Sequence, residues 1–101
     1  MPATEYHWPV PLDHAAFAGH FPGTPIVPGV VLLDRALRFA EDELGRPVGA
    51  WRIGNAKFFS PVGPGETLVF SLELQASGSI AFSVRGATRQ IASGSLTPSP
   101  P

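Results

Sequence analysis

One stretch of this chain reads as a long helix, and almost everything after it alternates at the two-residue period of β-strands. The helix opens at Pro28-Gly29 and stops at Gly45, with Pro47 just beyond. Proline near a helix start and glycine past its end are the usual punctuation of such an element. At about 100° per residue, Val30, Leu33, Leu37, Ala40 and Leu44 share one face, while Arg35, Arg38 and Asp42 lie away from its centre. The run Val30-Val31-Leu32-Leu33 makes the first turn apolar nearly all round. That end is expected to be buried on more than one side, as it is when a sheet wraps a helix.

The strand-like segments behind the helix begin with Trp51 to Phe59. After a turn at Pro64-Gly65, Thr67 to Gln75 sets Leu68, Phe70, Leu72 and Leu74 against Val69, Ser71, Glu73 and Gln75. Ser77-Gly78 signals a hairpin, Ile80, Phe82 and Val84 continue the alternation up to Gly86, and Thr88 to Leu96 supplies the last segment. Ahead of the helix, Thr4 to Leu12 reads as a short strand interrupted by Pro9 and Pro11, hence an edge. The expected architecture is α+β: one long helix followed by a four-stranded antiparallel meander, with a short strand in front.

Composition narrows the function classes. Seven basic and eight acidic residues leave a net charge of −1, too weak a field to attract nucleic acid or an anionic membrane surface. The chain has no cysteine, which excludes disulfides and thiol nucleophiles and fits a cytoplasmic setting. No apolar run approaches the roughly 18 residues of a membrane span. With 44% hydrophobic residues in 101, one domain is expected over residues 1–97, followed by a frayed tail at 98–101. So short a chain with few charges is expected to complete its core against a second subunit.

From Asp13 to Pro28 inclusive the chain carries two histidines, three prolines and two glycines, a composition that shapes a loop and not a regular element. The loop leads into His20-Phe21-Pro22-Gly23-Thr24-Pro25-Ile26-Val27-Pro28-Gly29-Val30, and a carboxylate, Asp34, follows His20 by fourteen residues. Asp13, His14 and His20 do not have the spacing of a metal site, and no cofactor motif is present. The segment from His20 to Asp34 resembles the signature of bacterial 3-hydroxyacyl-ACP dehydratases, and the likeness extends from Phe17-Ala18-Gly19 before it to Phe58-Phe59-Ser60-Pro61-Val62-Gly63-Pro64-Gly65-Glu66 after the helix. Within that family the compact length looks most like the short stand-alone dehydratase-like proteins.

The resemblance implies a hotdog fold, an antiparallel sheet wrapped around one long helix. It also implies removal of water from 3-hydroxyacyl thioesters on acyl carrier protein, giving trans-2-enoyl thioesters in fatty acid, lipid or polyene biosynthesis. That chemistry needs a base for the Cα proton and an acid for the departing hydroxide. His20 suits the first role, since imidazole titrates near neutral pH. Asp34 suits the second if an apolar setting among Val30, Leu33 and Leu37 lets it keep its proton. The N–H groups of Gly29 and Val30, unpaired at the helix start, can donate to the thioester oxygen. Phe21, Pro28 and Leu33 complete the expected substrate-binding set.

The resemblance further implies a homodimer or higher homo-oligomer in which His20 of one subunit meets Asp34 of the other. A heterodimer with a hotdog homologue is a further possibility, as are hotdog thioesterase activity and a catalytically silent acyl-binding subunit. Arg52, Lys57, Arg85 and Arg89 are the cations available to steer an acidic carrier. Where such dehydratases usually have Gln four residues after the carboxylate, this chain has Arg38, one helical turn from Asp34 and in reach of it.

Overall fold

The punctuation of the helix holds. In the computed structural model, which describes residues 3–13 and 26–100, helix α1 spans Gly29–Leu44. Pro28 stands in an extended conformation before it and offers no side-chain cap. Gly45 closes it at φ 72, donating its N–H to the carbonyls of Glu41 and Asp42. That left-handed conformation carries a steric cost for any residue with a Cβ.

Five strands follow the expected segments closely: β1 Thr4–Pro9, β2 Trp51–Phe58, β3 Thr67–Leu74, β4 Ile80–Arg85 and β5 Gln90–Pro98. They form one sheet in the order β1-β3-β4-β5-β2, every neighbouring pair antiparallel. The expected meander therefore holds for β3, β4 and β5 only. β2 lies at the far edge beside β5, because β1 occupies the edge of β3 that a meander would have given to β2. The link between β2 and β3 contains Pro61 and Pro64 and is too long for a tight hairpin. β1 is an edge strand, as its prolines required. The last strand also runs past the expected boundary at residue 97: Pro98 pairs with Trp51, and the Ser99 N–H donates to the Ala50 carbonyl at 2.9 Å.

Alternation decides which face of the sheet is covered. Leu68, Phe70 and Leu72 of β3, Ile80, Phe82 and Val84 of β4 and Leu96 of β5 are buried on the inner face, against Leu32, Ala36 and Ala40 of α1. Burying a side chain such as Phe70 contributes about 1.5–3 kcal/mol. The helix meets the sheet along a different stripe from the expected one. Leu32, Ala36 and Ala40 form the buried row, Leu33 and Leu37 flank it half-buried, and Val30 is 70% exposed. The helix is rolled by roughly a quarter turn from the face its largest aliphatics define. Two alanines let the backbone approach the sheet closely, and aromatic packing of Phe39 on Tyr6 and Phe70 fixes the roll.

A bulge in β2 sets the direction of the residues beyond it. Gly54 pairs with Ser95 and Lys57 with Ser93, so Asn55 and Ala56 together stand opposite Gly94. Asn55 takes up the extra length at φ 53, a conformation asparagine tolerates better than most residues. Opposed residues point to the same face. Arg52 and Lys57 thus share the outer face, while Ile53 and Phe58 lie opposite Leu96 and Ala92 on the inner one.

Candidate active site

The helix start is the centre of the candidate site. Ile26, Val27, Gly29, Leu32, Phe58, Phe59, Ser60 and Pro61 line a mainly apolar groove of about 450 Å3. Its walls come from three parts of the chain: the segment leading into α1, the first turn of α1, and the end of β2 with the link after it. The Val27 N–H donates to the Val62 carbonyl at 2.8 Å, which ties the segment before α1 to the link after β2, and the Phe59 N–H donates to the Ile91 carbonyl at 2.7 Å, which ties that link to β5. Gly29 lies directly beneath the Phe58 ring; a Cβ there would stand 2.9 Å from Cε1 and Cζ.

The link behind the groove is clamped by charge. Arg89 makes a bidentate pair with Glu66, Nη1 to Oε1 at 2.9 Å and Nη2 to Oε2 at 2.9 Å, and Nη2 also donates to the Pro61 carbonyl at 2.7 Å. The Gly63 N–H donates to Glu66 Oε2 at 2.8 Å. These bonds hold the Glu66 carboxyl below its ordinary range, the Arg89 hydrogen bond contributing most, against burial that pushes it up. Sequence reasoning offered Arg89 as a surface cation, since the pairing joins residues 23 apart in the chain.

The expected site residues separate as follows. His20 and Phe21 lie outside the described residues. Pro28 and Gly29 stand at the helix start, and Val30 follows with its side chain exposed. Leu33 is half-buried against the core, near the groove and not in its lining. Asp34 is exposed: its side chain is 60% accessible and Oδ2 accepts from Arg38 Nε at 3.0 Å. The described residues of the chain therefore do not supply the apolar setting expected for Asp34. The roll of the helix turns Leu32, Ala36 and Ala40 inward and leaves Val30, Asp34 and Arg38, spaced four apart, as an outward row. The pairing of Arg38 with Asp34 itself is as the spacing required.

The four cations also divide. Arg85 pairs with Glu5 at 3.0 Å and Arg89 with Glu66. Arg52 and Lys57, exposed on the outer face of β2, have no ion pair among the described residues. The described residues hold no helix long and apolar enough to cross a membrane.

Comparison with known proteins places this arrangement. A solved structure described as the dehydratase heterocomplex ApeI:P from Xenorhabdus doucetiae superimposes with a TM-score of 0.80 at 23% identity, over 95% of this chain and 86% of that one. The crystal structure of an uncharacterised protein from Erwinia carotovora subsp. atroseptica gives 0.78 at 35% identity, over 97% and 83%. The fold is the hotdog, an antiparallel sheet around one helix. Among curated proteins, the 3-hydroxyacyl-[acyl-carrier-protein] dehydratase FabZ of Caulobacter vibrioides is 27% identical over 89 residues, covering 79% of this chain and 56% of the relative. The chain spans about half the length of the curated relatives it matches. The family described as ApeI-like, ApeI dehydratase, matches residues 2–95, and the chain belongs to that dehydratase family.

Proposed function

We propose that this chain dehydrates 3-hydroxyacyl thioesters on acyl carrier protein to trans-2-enoyl thioesters, in a site completed by a second subunit. The observation that carries this reading is the helix start: Gly29 lines an apolar groove, His20 precedes Gly29 by nine residues in the sequence, and Asp34 stands about one turn further along the helix. His20 takes the Cα proton, and the electron pair released forms the Cα–Cβ double bond as the Cβ–O bond breaks. Asp34 gives its proton to the departing hydroxide, which leaves as water. The Gly29 and Val30 N–H groups donate to the thioester oxygen, which gains charge as the Cα proton leaves. Proton exchange with water then restores both residues.

A second subunit is what the outward row lacks. Val30, Phe58 and Phe59 are each at least half exposed, Ile53 is 39% exposed, and β2 pairs only with β5 among the described residues. Apolar residues beside an open strand edge favour association with another chain. A homodimer covering this region would take Asp34 out of water, the condition under which a carboxyl keeps its proton. Arg52 and Lys57, which have no ion pair among the described residues, suit the approach of an acidic carrier.

A second reading has its own observation. Arg38 engages the Asp34 carboxylate within the chain, and one of the similar structures is described as a dehydratase heterocomplex, ApeI:P. On this reading the chain is a partner subunit that shapes the acyl site while an active homologue supplies the chemistry.

One assay tests both. The purified protein is mixed with trans-2-enoyl and 3-hydroxyacyl thioesters on carrier protein, beside His20→Ala and Asp34→Asn variants. Interconversion that vanishes in both variants supports the dehydratase reading. Absence of turnover from the folded protein, restored only on adding a hotdog homologue, selects the partner-subunit reading.

A further inference from the structure

The bulge in β2 has an effect on the groove that reaches beyond strand pairing. Were β2 regular from Gly54 onward, Phe58 would share a face with Arg52 and Gly54 and point outward. The extra residue at Asn55-Ala56 reverses this, placing Phe58 opposite Ala92 on the inner face. There the ring reaches the first residue of α1: a Cβ on Gly29 would meet Cε1 and Cζ at 2.9 Å and Cε2 at 3.3 Å. The far edge of the ring thus rests on the Gly29 backbone, and only glycine leaves room for it.

We propose that Phe58 is a specificity-determining residue, limiting the length of acyl chain that the groove accepts. The inference rests on the thioester-dehydratase reading above and names the part of that site that selects substrate. A thioester whose carbonyl oxygen meets the helix start has its acyl chain beside Gly29, against the apolar walls made by Val27, Leu32, Phe59 and Pro61. The volume lies in the range of small-molecule sites. Phe58 crosses this path at Gly29. Its backbone is held by β2, whereas its ring is half exposed, so truncating the ring removes the barrier without removing buried core.

The test is a chain-length profile of kcat/KM, from short to long acyl thioesters on carrier protein, for the wild type, Phe58→Ala and Phe58→Tyr. Phe58→Ala is expected to raise the long-to-short ratio by about tenfold, since each methylene accommodated in an apolar pocket is worth roughly that factor. Phe58→Tyr keeps the ring and is expected to keep the wild-type profile. An active wild type whose profile is unchanged in Phe58→Ala overturns the inference and leaves the dehydratase reading standing. A wild type inactive on every thioester counts against the dehydratase reading instead. Calorimetric affinities for saturated acyl-CoA of graded length then decide the role of Phe58: tighter long-chain binding by Phe58→Ala upholds it, and identical affinities overturn it. Gly29→Ala gives a second check, because it displaces the ring. Its chain-length profile is expected to differ from that of the wild type, and adding Phe58→Ala to it is expected to give the raised long-to-short ratio of Phe58→Ala alone.

Discussion

Arg38 donates from Nε to Asp34 Oδ2 at 3.0 Å across one turn of α1, with both side chains largely exposed. Exposed pairs of this kind add little to stability. Exchanging Arg38 for Gln keeps a neutral donor and removes the charge beside the proposed acid. The melting temperature is expected to stay unchanged while dehydratase turnover rises, measured by calorimetry and the hydration assay on the same preparation. A turnover equal to wild type would show that Arg38 has no part in the chemistry.

Glu66 gives the chain an acid limit. Its carboxyl is held below the ordinary value of 4.5 by the Arg89 hydrogen bond first, with help from the Gly63 N–H. A carboxyl depressed in the folded state stabilises above its unfolded value, and that contribution is lost as pH falls through the folded one. Glu66→Gln is expected to melt below the wild type at neutral pH, with the difference closing below about pH 4. Melting curves across that range check the sign; a constant gap would place the effect in packing and not in charge.

Tyr6 is the single tyrosine of the chain, so its ionisation can be followed by absorbance without overlap from another tyrosine. Burial chiefly, then the hydrogen bond its OH donates to Glu43 Oε2 at 2.7 Å, pushes its pKa up from 10.0 to about 12. The folded state therefore holds the neutral phenol, and its stabilising effect is complete below pH 10 and lost as pH rises toward 12. A spectrophotometric titration is expected to show the transition near the higher value. A midpoint at 10 would mean that the ring does not pack between β1 and α1.

Gly94 and Phe82 form the support of the bulge. A Cβ on Gly94 would lie 2.7 Å from Phe82 Cε1 and 3.3 Å from the Ala56 Cα. Phe82 is buried, which leaves its ring little space to move. Gly94→Ala is expected to cost about 1–3 kcal/mol, the usual range for overpacking. Pairing it with Phe82→Leu is expected to recover part of that loss in denaturant unfolding. Additive losses would show that the two positions do not share the contact.

Local signals made the elements legible. The helix limits follow from Pro28 and Gly45, whose effects on the backbone are local, and the strand segments from a period of two that survives in any packing. The His20-to-Asp34 segment was equally visible because its spacing lies within one continuous stretch. By contrast, the importance of Phe58 was hidden. It stands in a segment singled out for its likeness to dehydratases, yet which way its ring points depends on one extra residue in β2, and no alternation pattern shows where a strand bulges.

What the sequence determined by itself is therefore the inventory: one helix, its ends, five strand segments, an apolar face for β3 and β4, and the candidates for proton transfer. Tertiary structure alone decided three relationships. β2 pairs with β5 because β1 had taken the edge of β3, a competition between segments distant in the chain. The helix turns Leu32, Ala36 and Ala40 to the sheet in place of its bulkier aliphatics, because small side chains permit closer approach. That roll leaves Asp34 facing outward. Periodicity ranks faces by hydrophobicity, whereas packing ranks them by fit, and fit depends on what the rest of the chain brings against each face.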